Sequence, residues 1–287
     1  MNRLPTDIQA QVLTALCEGN SIRATCRMTG AAKGTVTRLL TRVGMACGIY
    51  HERLVRNIKA RRVQADEIWT YCYAKEKNVP SDLKGMPGYG DCYTWVALDS
   101  DSKIVISWLL GQRTAECARV FMHDLRDRVE GRIQLSTDGL RVYPDAVEIA
   151  FHGDVDFGQL MKTYQAVVHE HEVRYSPPAF VSAKRVRVSG QPLQKAISTS
   201  HIERQNLTIR MKMRRFTRLT NAFSKKAENL EWALALHFIH YNFCRVHQTL
   251  KTTPAIAAGI ASHVWSVHDM LTMTEAVEES LADIKTK

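Results

Sequence analysis

Apolar residues in the first 45 positions recur at helical spacing, with polar residues filling the gaps. Ile8, Val12, Ala15 and Leu16 share one face and predict a helix over 6–18, capped by Thr6 or Asp7 and ended by Gly19-Asn20. Ser21 caps a second, shorter helix with Ile22 and Cys26 inward, and Gly30 breaks it. Val36, Leu39, Leu40 and Val43 predict a third from about Ala32 to Val43, leaving Lys33, Thr35, Thr37, Arg38 and Arg42 outside. Three short helices with a glycine turn before the third fit a helix-turn-helix, with Lys33, Thr35, Thr37 and Arg38 nearest the bases of a DNA major groove. An ordinary small helical bundle fits the same pattern. Residues 44–62 read as a basic connector ending in Lys59-Ala60-Arg61-Arg62.

The period then changes. Ile68–Tyr73, Cys92–Leu98 and Ile104–Leu110 are rich in β-formers, with Asp101-Ser102 as a turn between the last two. Arg113–Val129 carries Ala118, Phe121, Met122 and Leu125 on one helical face, and Arg132–Ser136 predicts a short strand running into Thr137-Asp138-Gly139. Asp66 lies just ahead of the first strand or within its start. Phe157–Tyr164 is read as helical, within an insertion over 151–198 whose Ser176-Pro177-Pro178 and Ser189-Gly190-Gln191-Pro192 look like loops. Helices are expected from Thr199 to about Arg214, over Ala227–Phe243, and in the acidic tail from 262. The expected organisation is an α/β mixed sheet behind an all-α segment: 1–45, a basic linker 46–62, a core 63–260, and a helical tail 261–287.

Net charge is +10, and its placement matters more than its size. Residues 1–62 carry eleven Lys/Arg against three Asp/Glu, and residues 184–226 carry twelve against Glu203 alone. Two basic blocks on a mildly acidic body suit a polyanion held at two places. Seven cysteines without a Cys-x-x-Cys pair argue against a disulfide framework or zinc ribbon. No apolar run reaches 18 residues and the N-terminus lacks an apolar signal core, so a cytoplasmic, nucleoid-associated protein without a membrane anchor is expected.

Asp66, Asp138 and Glu203 stand out as candidate metal ligands, because converging carboxylates are hard oxygen donors suited to Mg²⁺ or Mn²⁺. For each acid alone, a surface carboxylate or helix cap is the competing reading. Arg204, Asn206, Arg210, Lys212, Arg214 and Arg215 are read as phosphate contacts, against a plain solvated basic helix. His237, His240, Cys244 and His247 imitate a metal site on one helix face, but span roughly 15 Å, too far for one tetrahedral ion.

Gln-Ala-Asp-Glu-Ile-Trp (64–69), Ser-Thr-Asp-Gly (136–139) and His-Ile-Glu-Arg-Gln-Asn-Leu-Thr-Ile-Arg (201–210), in that order, resemble the DDE transposases of bacterial insertion sequences, in particular the family of the first-numbered, short insertion element. Residues 218–226 and 241–255 extend the resemblance, which covers roughly 60–260. It implies a ribonuclease H-like core in which Asp66, Asp138 and Glu203 bind two Mg²⁺ or Mn²⁺ ions. It implies cleavage at element ends and attack of the freed 3′-hydroxyl on target DNA, carried out by at least a dimer on double-stranded DNA. Asp138 and Glu203 lie 65 positions apart, longer than the family's usual interval, and the helix-turn-helix stands where the family carries a zinc finger. A non-catalytic DNA-binding regulator and a hydrolytic nuclease of the same fold are the alternatives.

Overall fold

The computed structural model describes residues 3–165, 179–217 and 221–285. The loop read at Ser176-Pro177-Pro178 and the Arg218-Leu219-Thr220 start of the 218–226 stretch lie outside them. Three helices open the chain: α1 (Thr6–Cys17), α2 (Ile22–Thr29) and α3 (Lys33–Leu54). The Ser21 hydroxyl accepts from the Ala24 amide at 3.1 Å to start α2, and Gly30, at φ 71°, ends it in the left-handed region.

α3 does not stop near Val43. The buried stripe continues through Gly44, Cys47 and His51, so most of the expected linker is helix. Gly44 makes room for another helix. A Cβ on Gly44 would come within 2.4 Å of the Trp232 carbonyl oxygen on α7 (Ala227–Ile239). Arg128 closes the far end of α3, donating to the carbonyls of His51 and Val55 at 3.3 and 3.1 Å and to Asp124 at 2.7 Å.

The sheet has six strands: β1 (Arg62–Cys72), β2 (Gly90–Asp99), β3 (Val105–Gly111), β4 (Ile133–Asp138), β5 (Val155–Gln165) and β6 (Ala179–Ser189). Their order is β3-β2-β1-β4-β5-β6. β1, β4 and β5 run parallel, while β2, β3 and β6 are antiparallel to their neighbours. The first five strands have the ribonuclease H-like arrangement, a mixed α/β sheet as expected. α4 (Ala115–Arg128) and α5 (Tyr143–Phe151) cover one face, where Trp95 packs on Phe121 and Tyr143; α6 (Ser200–Lys212) meets β1 on the other.

Two sequence expectations change. β1 begins six residues before Ile68, which places Asp66 inside it. The 157–164 stretch is strand, not helix: Phe157, Leu160, Met161 and Tyr164 recur at helical spacing, yet residues 157–160 pair with β4 on one side and β6 on the other. β6, within the expected insertion, pairs with β5 and forms the sheet's edge.

Beyond α7 the chain makes one π-helical turn, His240–Cys244. There Asn242 clamps the edge of β3, accepting from the Val105 amide at 3.0 Å and donating to its carbonyl at 2.9 Å. A short α8 (Pro254–Ala257) leads to α9 (Val267–Lys285), the expected tail helix, which packs on α1 and α3. The N-terminal helices therefore share one core with α7 and α9. No helix among the described residues is long and apolar enough to cross a membrane.

Burial holds the imidazoles of His51 and His237 down to about 3 and that of His240 to about 4. Below the ordinary value near 6.5 the unfolded chain takes up these protons and the fold does not. Stability is therefore full above pH 6.5 and falls as the pH drops, by about 1.4 kcal/mol per pH unit for each histidine. Asp66, held up to about 7, works in the opposite sense over the same range but, with solvent reaching the cleft, offsets less than half of one of the three. Urea titrations at pH 7 and pH 5 should differ by roughly 5 kcal/mol, with the acid side weaker.

Candidate active site

β1 and β4 pair at Arg62 with Gln134, Val63 with Leu135 and Gln64 with Ser136, then part. Two residues past the last pair stand Asp66 and Asp138, one on each strand. One carboxylate oxygen from each of them and one from Glu67 lie within 4.8 Å of one another. The pleat turns Asp66 toward α6 and Glu67 toward α4 and α5.

Each carboxylate has its own holder. The Asn206 amide on α6 donates to Asp66 Oδ2 at 2.8 Å. The Leu140 backbone amide donates to Asp138 Oδ1 at 3.0 Å, across the turn that Gly139 makes. Gln159 on β5 braces that turn, donating to the Asp138 carbonyl at 2.8 Å. Glu67, only 1% exposed, accepts from Arg113 Nε at 2.7 Å and from the Tyr143 hydroxyl at 2.9 Å. The same Arg113 reaches within 3.9 Å of Asp138 Oδ2.

Burial, then the charges of Glu67, Asp138 and Glu203, push the Asp66 carboxyl up to about 7. Burial and Asp138 raise Glu67 as well, against the pull of Tyr143 and Arg113. A buried acid with so many acidic neighbours is short of positive charge. The amide that holds Asp66 leaves its own oxygen, Asn206 Oδ1, buried without a hydrogen-bond partner among the described residues. Asp66, Glu67 and Asp138 each offer a hard carboxylate oxygen to the same point, so the residues fit a divalent Mg²⁺ or Mn²⁺ ion.

Glu203, expected as the third ligand, lies in the first turn of α6 and lines the same cavity of about 740 Å³ as Asp66, Asp138, Arg113 and Lys162. It does not join the carboxylate cluster. Its Oε1 is held by the Lys162 ammonium from β5 and by the Thr199 hydroxyl, and Glu67 stands in the third place. Gln64, two residues before Asp66, sets α6 in position: its Oε1 accepts from the His201 and Ile202 amides at 2.8 and 3.1 Å. Gln64→Ala strips this cap and should cost about 1 kcal/mol in urea denaturation.

The residues expected to touch DNA divide. Lys33 and Arg38 are exposed, and Thr35 and Thr37 half-buried. Thr37 donates to the Lys33 carbonyl at 3.0 Å, and Arg38 to the Thr35 hydroxyl at 3.3 Å. Arg204 and Arg214 face solvent. The other four are engaged inside the molecule. Asn206 serves Asp66, Arg210 donates to the Phe216 carbonyl at 3.3 Å, Lys212 pairs with Glu18 on α1, and Arg215 is half-buried on the Ser224 hydroxyl. A second cavity, about 770 Å³, joins the two basic blocks, with Arg23, Lys33 and Thr37 from one and Lys212, Arg214 and Lys225 from the other.

The histidine series is not a metal group among the described residues. His237 stacks on Tyr241, while His247 is held below its usual value by burial and by the nearby charges of Lys103, Arg245, His201 and Arg204. Lys103 Nζ lies 3.3 Å from His201 Nε2.

No family model and no curated protein matches this chain. Solved structures overlap it weakly. A Mos1 strand transfer complex matches at 15% identity and a TM-score of 0.23, over 55% of this chain and 58% of that one. A Mos1 mariner paired end complex with Mn matches at 14% and 0.21, over 53% and 57%. An endonuclease V from Bacillus subtilis matches at 11% and 0.25, over 73% and 92%. The chain thus spans about three fifths of the Mos1 chains it matches. Overlaps this low carry no weight of their own; the strand order and the paired aspartates carry the assignment to a ribonuclease H-like α/β fold with a carboxylate site at the β1–β4 opening.

Proposed function

We propose that this chain is a DDE-type DNA transposase that cuts at the ends of a mobile element and joins the freed 3′-hydroxyl to target DNA. The observation that carries the reading is the meeting of Asp66 and Asp138 from adjacent central strands in a cleft that Glu203 also lines. The substrate is double-stranded DNA, which fits the basic surface of α3 and the segment after α6. Two DNA ends must be brought together, so the working form is at least a dimer, and its place is on the nucleoid DNA of the cytoplasm.

In this reading Asp66 and Asp138 hold the metal, with Asn206 orienting Asp66 and the Leu140 amide orienting Asp138. Glu203 is the third acid, held by Lys162 and Thr199 until the site is filled. Two Mg²⁺ or Mn²⁺ ions, when bound, supply activation of the attacking oxygen and stabilisation of the leaving one. Glu67 acts through a neighbour. Clamped by Arg113 and Tyr143, it fixes the Arg113 guanidinium beside Asp138, where the guanidinium meets negative charge on the phosphodiester. Lys33, Thr35, Thr37 and Arg38 read the element end from the helix-turn-helix, and Arg204 and Arg214 grip phosphates.

The test is incubation with Mg²⁺ and DNA carrying the ends that flank the coding sequence, beside an Asp138→Asn control. Nicked ends and joined products, both absent in the control, are the expected result. Cleavage without joining would make the protein a nuclease, and specific binding without cleavage a regulator.

A further inference from the structure

Past Leu160, β5 leaves the sheet. β4 ends at its pairing of Asp138 with Leu160, and from Met161 onward β5 has only β6 beside it among the described residues. The result is a two-stranded ribbon exposed along nearly all of its length. Such a ribbon is marginal alone in water. Its described residues, 161–165 and 179–184, include Lys162 and Lys184 and no Asp or Glu, and Arg185 and Arg187 follow on β6 where it rejoins the sheet. They also expose two aromatic rings. Tyr164 is 52% and Phe180 59% accessible, and they pair across the strands, edge to face at 6.1 Å.

The position of one ring is the decisive point. Lys162 reaches Glu203, and Tyr164, two residues on, lines the same cavity as Asp66, Asp138 and Glu203. An exposed aromatic ring, flanked by cations and standing at the wall of a phosphodiester-cutting cleft, has the parts of a base-stacking platform. A paired base shows a side chain only its edges, whereas an unpaired one offers its face.

We infer that Tyr164, backed by Phe180, is a binding site for an unpaired nucleobase beside the bond to be cut, so the duplex is opened there as it enters the cleft. This rests on the reading of the cleft as a DNA-processing site. Lys184 on the ribbon and Arg187 further along β6 would follow the phosphates of the displaced strand.

The experiment is fluorescence anisotropy in EDTA, where no cleavage occurs, comparing a forked duplex with unpaired thymines at one end to a blunt duplex of the same sequence. The wild-type chain should prefer the fork by about tenfold. Tyr164→Ala and Phe180→Ala should reduce that preference to near unity, and Tyr164→Phe should keep it. These side chains are exposed, so thermal melting should be unchanged in all three variants. Equal affinity of the wild type for fork and blunt duplex, or a preference that survives Tyr164→Ala, overturns the inference. So does a change in oligomeric state on Tyr164→Ala, which would make the ribbon a protein contact. Metal-dependent cleavage by a wild type that shows no fork preference removes this subsite and leaves the transposase reading intact. Fork preference without cleavage does the reverse.

Discussion

Asp66→Asn should abolish metal-dependent cleavage and leave a more stable protein. The cleavage rate should fall at least about a thousandfold, because a neutral amide in place of this carboxylate removes several kcal/mol of metal-borne transition-state stabilisation. Stability should move the other way. A carboxyl held up to about 7 by burial and acidic neighbours costs the fold free energy at every pH above its unfolded value near 3.8, and the full cost is present above pH 7. The amide carries no charge and its oxygen can still accept from Asn206. With allowance for solvent reaching the cleft, the gain should be about 1 kcal/mol at pH 8, or roughly 2–4 °C in melting temperature. Melting curves in EDTA at pH 8 and pH 5 check the sign, because the gain should shrink at pH 5, where Asp66 is protonated in the fold. A variant that loses activity and also loses stability would show Asp66 to be a structural acid.

The second large effect is at Gly44. Gly44→Ala should cost roughly 3 kcal/mol, the upper part of the overpacking range, and lower the melting temperature by roughly 10 °C. In an open helix the same change would be stabilising by up to about 1 kcal/mol. The sign reverses because the added methyl meets backbone. Its carbon would lie 2.4 Å from the Trp232 carbonyl oxygen and 2.6 Å from the Trp232 Cβ, neither of which can swing aside. Gly48→Ala is the internal control, because there the nearest atoms are a ring carbon of Trp232 at 3.8 Å and a methyl of Ala235 at 3.9 Å. It should be neutral or slightly stabilising by the same scan.

Local signals were the legible ones. Ser21, Gly30 and the Val36–Val43 stripe placed two helix starts and one stop, and Ile133 and Leu135 before Gly139 placed Asp138 at a strand end. What could not be read locally were pairings across long stretches of chain. Glu67 is held from 46 and 76 positions away by Arg113 and Tyr143, Glu203 from 41 by Lys162, and Asp66 from 140 by Asn206. Charge counting has the same limit. Lys212 and Arg215 belong to the most basic stretch of the chain, yet one is spent on Glu18 and the other is bonded to Ser224. Composition counts a cation but does not say which way it points. Gly44 shows the converse, since a residue that weakens one helix is here the gap that admits another.

α3 has one further consequence. Its 22 residues form a single helix about 33 Å long. Its first turn bears the exposed Lys33, and its last is pinned by Arg128. There is no hinge between the end that would read a sequence and the body that would cut. Such a rod is a ruler. In the proposed reading, the spacing between the recognised bases and the severed bond would be fixed by the folded body rather than searched for afresh on each substrate.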